Sequence, residues 1–423
     1  MLQIKIPKIR QQGDHRQKVI LYCTSIGGMP KDYTIPNTKD SSKSNIPLLG
    51  LVSLLNDISS EIIQPILPLF IIYLGGGGVA VGLIGGLSDG IPSILQIFSG
   101  YWADRLGRRK PLVIAGYGLS ALSKLFFPLS TIWQHIFILR IFERSGKGIR
   151  SAPRDAIIAD SATLENRGRG FGILRAMDTT GAVIGSALAY LLWKAGLDFR
   201  MIFVIAALVA VLSFAPLVRV KDVVRAPNDH NSLRLSSLSP DLNRFMIIAS
   251  LFALANFSYM FFILRAQQFF SGALAVGVPL LLYILFNIFY AGLAIPSGVI
   301  SDRIGRKNVL TLGYALFALV ALGFAYVSST GGLVILFILY GSVFAIVDGA
   351  QSAFVSDLSH SQSRSTSLGI YYGSVGIASI ISGAIAGELW QSSGAKWTFL
   401  FGAVVAAIAA LALLRMKKIE AIA

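Results

Sequence analysis

Asp57, Glu61, Gln64 and Pro68 follow one another at spacings of four, three and four inside an apolar run, so in a helix all four share one face. An ionised side chain held mid-bilayer costs at least about 2.5 kcal/mol, so Asp57 and Glu61 must face a partner or a wet cavity. Carboxylates at such a site can carry a proton or hold a solute, and a structural ion pair is the competing account. Cations recur further along: Arg140, Arg144 and Lys147 stand at spacings of four and three, with Glu143 among them. They could coordinate an anionic solute or neutralise Asp57, Glu61 or Asp178. Arg175 and Asp178 come next, followed by Gly181 and Gly185 in the spacing that lets helices approach closely.

The elements that must position these residues are membrane spans. The 423 residues are 54% hydrophobic and only 14% charged, against about 25% charged in ordinary globular proteins. Twelve runs are long enough, at roughly 20 residues, to cross a hydrocarbon core. They start near Ile46, Val79, Pro111, Ile132, Gly170 and Met201, then near Phe245, Val276, Val309, Gly332, Ser367 and Trp397. Most of the 37 Lys and Arg lie in the tails and in the loops after even-numbered spans, whereas the opposite loops hold Lys194, Arg200, Arg265 and Lys396. By the positive-inside rule both termini are expected in the cytoplasm. The net charge of +16 is spread over short inter-span segments and not over one soluble face, which argues against nucleic-acid binding. One cysteine excludes an internal disulfide, and four scattered histidines show no metal-ligand spacing.

The chain also repeats itself. Gly100, Asp104, Arg105, Gly107 and Arg108 recur as Gly298, Asp302, Arg303, Gly305 and Arg306 at an offset of 198, each set between two spans. Asp160, Arg167 and Gly172 recur as Asp357, Arg364 and Gly369 at an offset of 197. In the basic turns Gly100 would allow close helix packing, Gly107 a sharp reversal, and Asp104 a carboxylate among cations. Parallel six-helix repeats related by an axis along the membrane normal are the major facilitator arrangement.

The basic turns resemble that superfamily's signature between helices 2 and 3 and its weaker copy between helices 8 and 9. More locally, Leu51 to Phe70 and Arg144 to Asp160 resemble a prokaryotic subgroup that is mostly uncharacterised. The resemblance implies an all-α membrane protein of twelve transmembrane helices in two six-helix repeats. It divides the chain into a tail (1–45), a first bundle (46–218), a linker (219–244), a second bundle (245–415) and a short tail (416–423). It further implies alternating access, with the basic turns as a cytoplasmic gate. The family's helix 4 motif, RxxQGxG, is matched by Arg140 and Gly146, while Glu143 and Arg144 replace its Gln and first Gly. The helix 5 glycine motif of drug antiporters is broken where Ser186 follows Gly185.

These readings lead to an expected secondary transporter driven by a proton gradient, with no other cofactor and no enzymatic chemistry. Its coupling and cavity residues are expected to be Asp57, Glu61, Asp178, Arg140, Arg144 and Arg175. Proton-coupled efflux of a small solute is the leading expectation. Transport of an organic anion or anionic metal complex, and a receptor that moves nothing, are the alternatives. The expected partners are the bilayer and the solute, the functional unit a monomer, and the location a prokaryotic inner membrane.

Overall fold

Proline interrupts the first apolar run and divides it into two helices. The computed structural model describes residues 45–106, 108–162, 167–222, 239–359 and 364–416, the side chains of 104, 167, 364 and 365 excepted. In it α1 (Asn45–Ile63) and α2 (Leu67–Tyr73) are separated by a turn at residues 64–66. Pro65 and Pro68 cannot donate backbone hydrogen bonds there, and their rings crowd the preceding turn. An interruption at Asn256–Tyr259 likewise separates α9 (Pro240–Ala255) from α10 (Met260–Gln267), here without a proline. The remaining α-helices are α3 (Gly78–Leu106), α4 (Lys110–Phe126), α5 (Trp133–Ser161), α6 (Arg167–Lys194), α7 (Phe199–Leu212), α8 (Phe214–Arg219), α11 (Leu274–Ile304), α12 (Arg306–Tyr326), α13 (Thr330–Asp357), α14 (Arg364–Ser393) and α15 (Ala395–Arg415).

All twelve expected starts fall within a few residues of a helix start. Helix α9 begins at Pro240, inside the segment 219–244 expected as a linker; there the Ser239 hydroxyl accepts from the Leu242 amide and proline occupies the first turn. Residues 1–44 and 417–423, most of both expected tails, lie outside the described residues. Ten stretches among the described residues are long and apolar enough to cross a membrane. Helices α5 and α6 match them in length, at 29 and 28 residues, but α5 carries the buried cations discussed below and α6 the charges Arg169, Arg175 and Asp178.

The packing pairs recur along the chain. Helix α1 lies along α6 and α7, α3 along α5, and α4 along α5 and α7. Helix α9 lies along α14 and α15, α11 along α13, and α12 along α13 and α15. The two sets join where α3 meets α14 and where α6 meets α11.

The tightest of these contacts is built from glycine on both sides. A Cβ added at Gly82 would lie 2.2 Å from the Gly383 carbonyl oxygen, and one at Gly90 would lie 2.4 Å from that of Gly376. Any side chain there would drive α3 and α14 apart. The expected close approach at Gly100 is not found: a Cβ would meet only Ala152, at 3.6 Å, and Gly298 has nothing within 4 Å. The sets therefore touch at the Gly78 end of α3 and separate toward its Leu106 end. There Gly168 and Gly172 of α6 also face open space, and Ile295 of α11 is 79% exposed.

Candidate functional site

The turn at residues 64–66 brings a mid-helix polar group to the junction of four helices. Gln64 donates through Nε2 to Glu61 Oε1, and its Oε1 accepts from Arg144 Nη2 at 3.1 Å. Its carbonyl oxygen, which Pro68 leaves without a helical donor, accepts from the Tyr259 hydroxyl at 3.1 Å. The other oxygen of Glu61 accepts from the Tyr283 hydroxyl at 3.0 Å. Glu61 is thus bonded to α11, and Gln64 to the residue that precedes α10, both across the junction between the two helix sets.

On α5 the chain of bonds continues inward. Glu143 pairs with Arg140 at 2.9 Å and lies 3.4 Å from Arg144 Nε, and Arg140 Nε donates to Ser88 on α3 at 2.8 Å. Arg140 and Glu143 are each 1% exposed, so their mutual pairing keeps either charge from standing alone in a low-dielectric interior. One carboxylate serves two guanidinium groups, and Arg140 Nη2 has no acceptor among the described residues. Arg144 is thus held from two sides, by Glu143 on its own helix and by Gln64 from the turn.

The expectation that Arg140 or Arg144 directly neutralises Asp57, Glu61 or Asp178 is not met. Arg144 reaches Glu61 only through Gln64, and the cation nearest Asp178 is Arg154, at 3.9 Å. Arg154 itself is held by Asp155 and by Ser53. Asp57 accepts only from its neighbour Asn56, at 3.3 Å, among the described residues. Arg175 is exposed, away from the Arg140–Glu143–Arg144 group, within electrostatic reach of Asp178 and Tyr290. Gly181 and Gly185 press α6 against α1 beside the carboxylates: Cβ atoms there would meet the Leu54 and Ile58 carbonyl oxygens at 2.9 and 2.6 Å.

Lys124 adds a further buried polar group, fully enclosed and donating to Ser59 and Ser60 on α1 at 3.0 and 2.9 Å. The second helix set is different in kind. Phe252 stacks on Tyr314 at 3.8 Å and Phe262 on Tyr340 at 3.9 Å, so most of its aromatics form a packed core. Its polar contribution comes from Tyr259, Tyr283 and the Tyr290–Asp348 bond of 2.8 Å.

The basic turns act within each set. Arg306 donates to the Ala353 carbonyl oxygen and pairs with Asp357 at 2.6 Å and Asp302 at 3.3 Å. In the first turn Arg109, not Arg108, occupies the corresponding place, donating to the Ala156 carbonyl oxygen and pairing with Asp160. The correspondence Arg109/Arg306, Ala156/Ala353 and Asp160/Asp357 keeps one offset of 197, the same as the second sequence signature. The first turn carries one extra residue, which is why counting from Asp104 pointed to Arg108. Arg105, Arg108 and Arg303 are exposed, Gly305 takes φ of +93° to reverse the chain, and Gly107 and the Asp104 side chain lie outside the described residues. Lys110 and Lys307 complete the symmetry by donating to the last carbonyls of α8 and α15, Val218 and Leu414, both at 3.0 Å.

The sequence profile of the Major Facilitator Superfamily matches residues 49–280 and again 245–421. An uncharacterised MFS-type transporter of Methanocaldococcus jannaschii is 46% identical over 384 residues, covering 89% of this chain and 96% of its own. The multidrug resistance protein MdtH of Photorhabdus laumondii is 32% identical over 146 residues, which cover 33% of this chain and 36% of its own. Among solved structures, the nucleoside transporter NupG superposes with a TM-score of 0.73 at 16% identity, covering 88% of this chain and 99% of that one. A POT family transporter gives 0.75 at 13% identity, with 87% and 95% covered. At those identities the likeness speaks to fold alone.

Proposed function

Because the chain belongs to the Major Facilitator Superfamily, we propose that it is a proton-coupled secondary transporter that exports a small solute by alternating access. The observation that carries the reading is the Glu61 carboxylate, which accepts from Tyr283 across the junction of the two helix sets. As a carboxylate Glu61 accepts at both oxygens; once protonated, one oxygen becomes a donor and the bond to Tyr283 or Gln64 must be remade. Loading a proton therefore changes a contact between the sets, which is what coupling requires. A membrane potential supplies about 2.3 kcal/mol per charge per 100 mV, enough to shift a two-state equilibrium roughly fifty-fold.

In this reading α5 and α6 are the two further spans beside the ten apolar ones, making twelve in two six-helix bundles with the linker between them. The recurring packing pairs, the two broken helices and the offset of 197 support it. Both termini are then cytoplasmic, in a prokaryotic inner membrane, and the open end of the molecule is its cytoplasmic end. The partial similarity to MdtH favours export.

The test is dye-reported pH change in sealed proteoliposomes challenged with cationic, neutral and anionic solutes. Solute-dependent proton flux that vanishes in Glu61→Gln is expected. Flux that persists in that variant would remove Glu61 as the coupling group, and no flux with any solute would favour a receptor or a uniporter.

A further inference from the structure

Three helices of the second set border a cavity of about 90 Å³ with one face each. The face of α9 from Ala249 to Asn256 and that of α13 from Phe344 to Gln351 each line it at spacings of three, one and three. Helix α14 adds Val375 and Ser379, four apart, so every contribution is a single helical stripe. Most of the lining is apolar, alanine and valine with the rings of Phe252 and Phe344. Asp348 alone of the described lining residues is exposed, so its carboxylate stands on the open side.

The polar atoms left over in this lining are acceptors. Gln351 is engaged at both ends: Nε2 donates to the Tyr314 hydroxyl at 2.7 Å, and Oε1 accepts from the Tyr371 hydroxyl at 2.8 Å. Ser379 donates to the Val375 carbonyl oxygen at 3.0 Å, so its own oxygen can only accept. Asp348 Oδ2 accepts from the Tyr290 hydroxyl at 2.8 Å, while Oδ1 has neither a donor nor a paired cation among the described residues. Asn256 Oδ1 is enclosed without a donor among the described residues, and a turn about χ2, a soft torsion, presents it to the cavity. Asn256 also stands where α9 stops, and the carbonyl end of a helix favours positive charge.

Three acceptors from three helices, one of them ionised, thus meet beside an apolar wall. An ammonium group brings three donors and one positive charge. An alkali cation would answer the oxygens and leave the apolar lining without a partner, and an anion would face Asp348. We infer that the cavity binds a small primary alkylammonium, its N–H groups donating to Asp348 Oδ1, Ser379 Oγ and Asn256 Oδ1 and its alkyl chain lying against Phe252, Val343 and Phe344. The chain is short, since the cavity is smaller than the roughly 150 Å³ that encloses benzene. That such an amine is the transported solute rests on the transport reading above; its binding does not.

The probes are ethyl-, propyl- and butylammonium chlorides, set at equal concentration against sodium, potassium and tetramethylammonium chlorides and the matching alcohols. Ligand-induced thermal stabilisation of the full chain in lipid nanodiscs reads affinity by mass action. At least one alkylammonium is expected to bind roughly tenfold tighter than its alcohol and than tetramethylammonium, which is charged but has no N–H, or about 1.4 kcal/mol. Asp348→Asn should remove that advantage over the alcohol, and Ala249→Leu, which fills the cavity and keeps the carboxylate, should weaken binding of every amine. Equal stabilisation by sodium, potassium, tetramethylammonium or an alcohol overturns the inference. So does the absence of stabilisation by every amine, or binding unchanged in Asp348→Asn. The probe series on the unsubstituted chain decides the matter even where a variant fails to fold. No gradient exists across a nanodisc, so a failure of proton coupling in the liposome experiment leaves this outcome untouched, and the two readings fail separately.

Discussion

Helices α1–α8 and helices α9–α15 follow the same packing pairs but bury opposite chemistry. The first set encloses Arg140, Glu143, Arg144, Arg150 and Lys124, and the second encloses stacked aromatic rings such as Phe262 on Tyr340. A frame of helices spaced by small residues tolerates either filling, provided the charged groups are paired or hydrogen-bonded and the rings interlock. The lesson is a division of materials: the first set buries charges and their hydrogen-bond partners, while the second buries stacked rings and supplies Tyr259, Tyr283 and Tyr290.

That comparison can be broken at several points. The largest effect is expected from Glu61→Gln, with solute-driven proton flux in proteoliposomes falling to background while the protein remains folded; an equivalent loss from a mutation confined to the aromatic core would erase the division. Phe262→Ala should cost about 3 kcal/mol or more of stability, read by thermal unfolding in nanodiscs, and leave the coupling of the surviving folded protein intact. Gly82→Val or Gly383→Val should force α3 and α14 apart, since a Cβ at either already lies 2.2 or 2.3 Å from the opposing carbonyl oxygen; the expected cost is about 1–3 kcal/mol together with loss of transport, whereas Gly298→Ala should change neither. The paired turns sharpen the comparison further: Arg109→Ala should lower the unfolding temperature more than Arg306→Ala, because side-chain exposure is 10% for Arg109 and 26% for Arg306. The smallest effect on transport is that of Tyr283→Phe, which removes one hydrogen bond to Glu61 and should slow flux several-fold without abolishing it.

The all-helical architecture was legible from composition and span length, and the family from the resemblance of the duplicated basic turns to its signature. So were the shared face of Asp57, Glu61 and Gln64 and the two glycines that press α6 onto α1. Other assignments needed the fold. Arg108 and Arg109 are adjacent and chemically alike, and nothing in their order says which reaches Asp160; only the turn's extra residue, seen against α5, decides it. Gly100 stands in a signature and Gly82 in none, yet the backbone contact between the sets is at Gly82. A spacing-of-four run, Gly78, Gly82, Gly86 and Gly90, was the available signal.

The sequence by itself determined what would be buried in lipid, which residues share a helical face, and that two segments of the chain are copies. Those are local or periodic properties, set by 1.5 Å of rise per residue and by the hydropathy of each run. Tertiary structure alone decided the partners of the buried charges. Arg140 satisfies Glu143 three residues away and Ser88 on another helix, while Tyr283 meets Glu61 across 222 positions of sequence. Electrostatic pairing depends on distances of a few ångströms between side chains from different helices, and no periodicity along one helix encodes them.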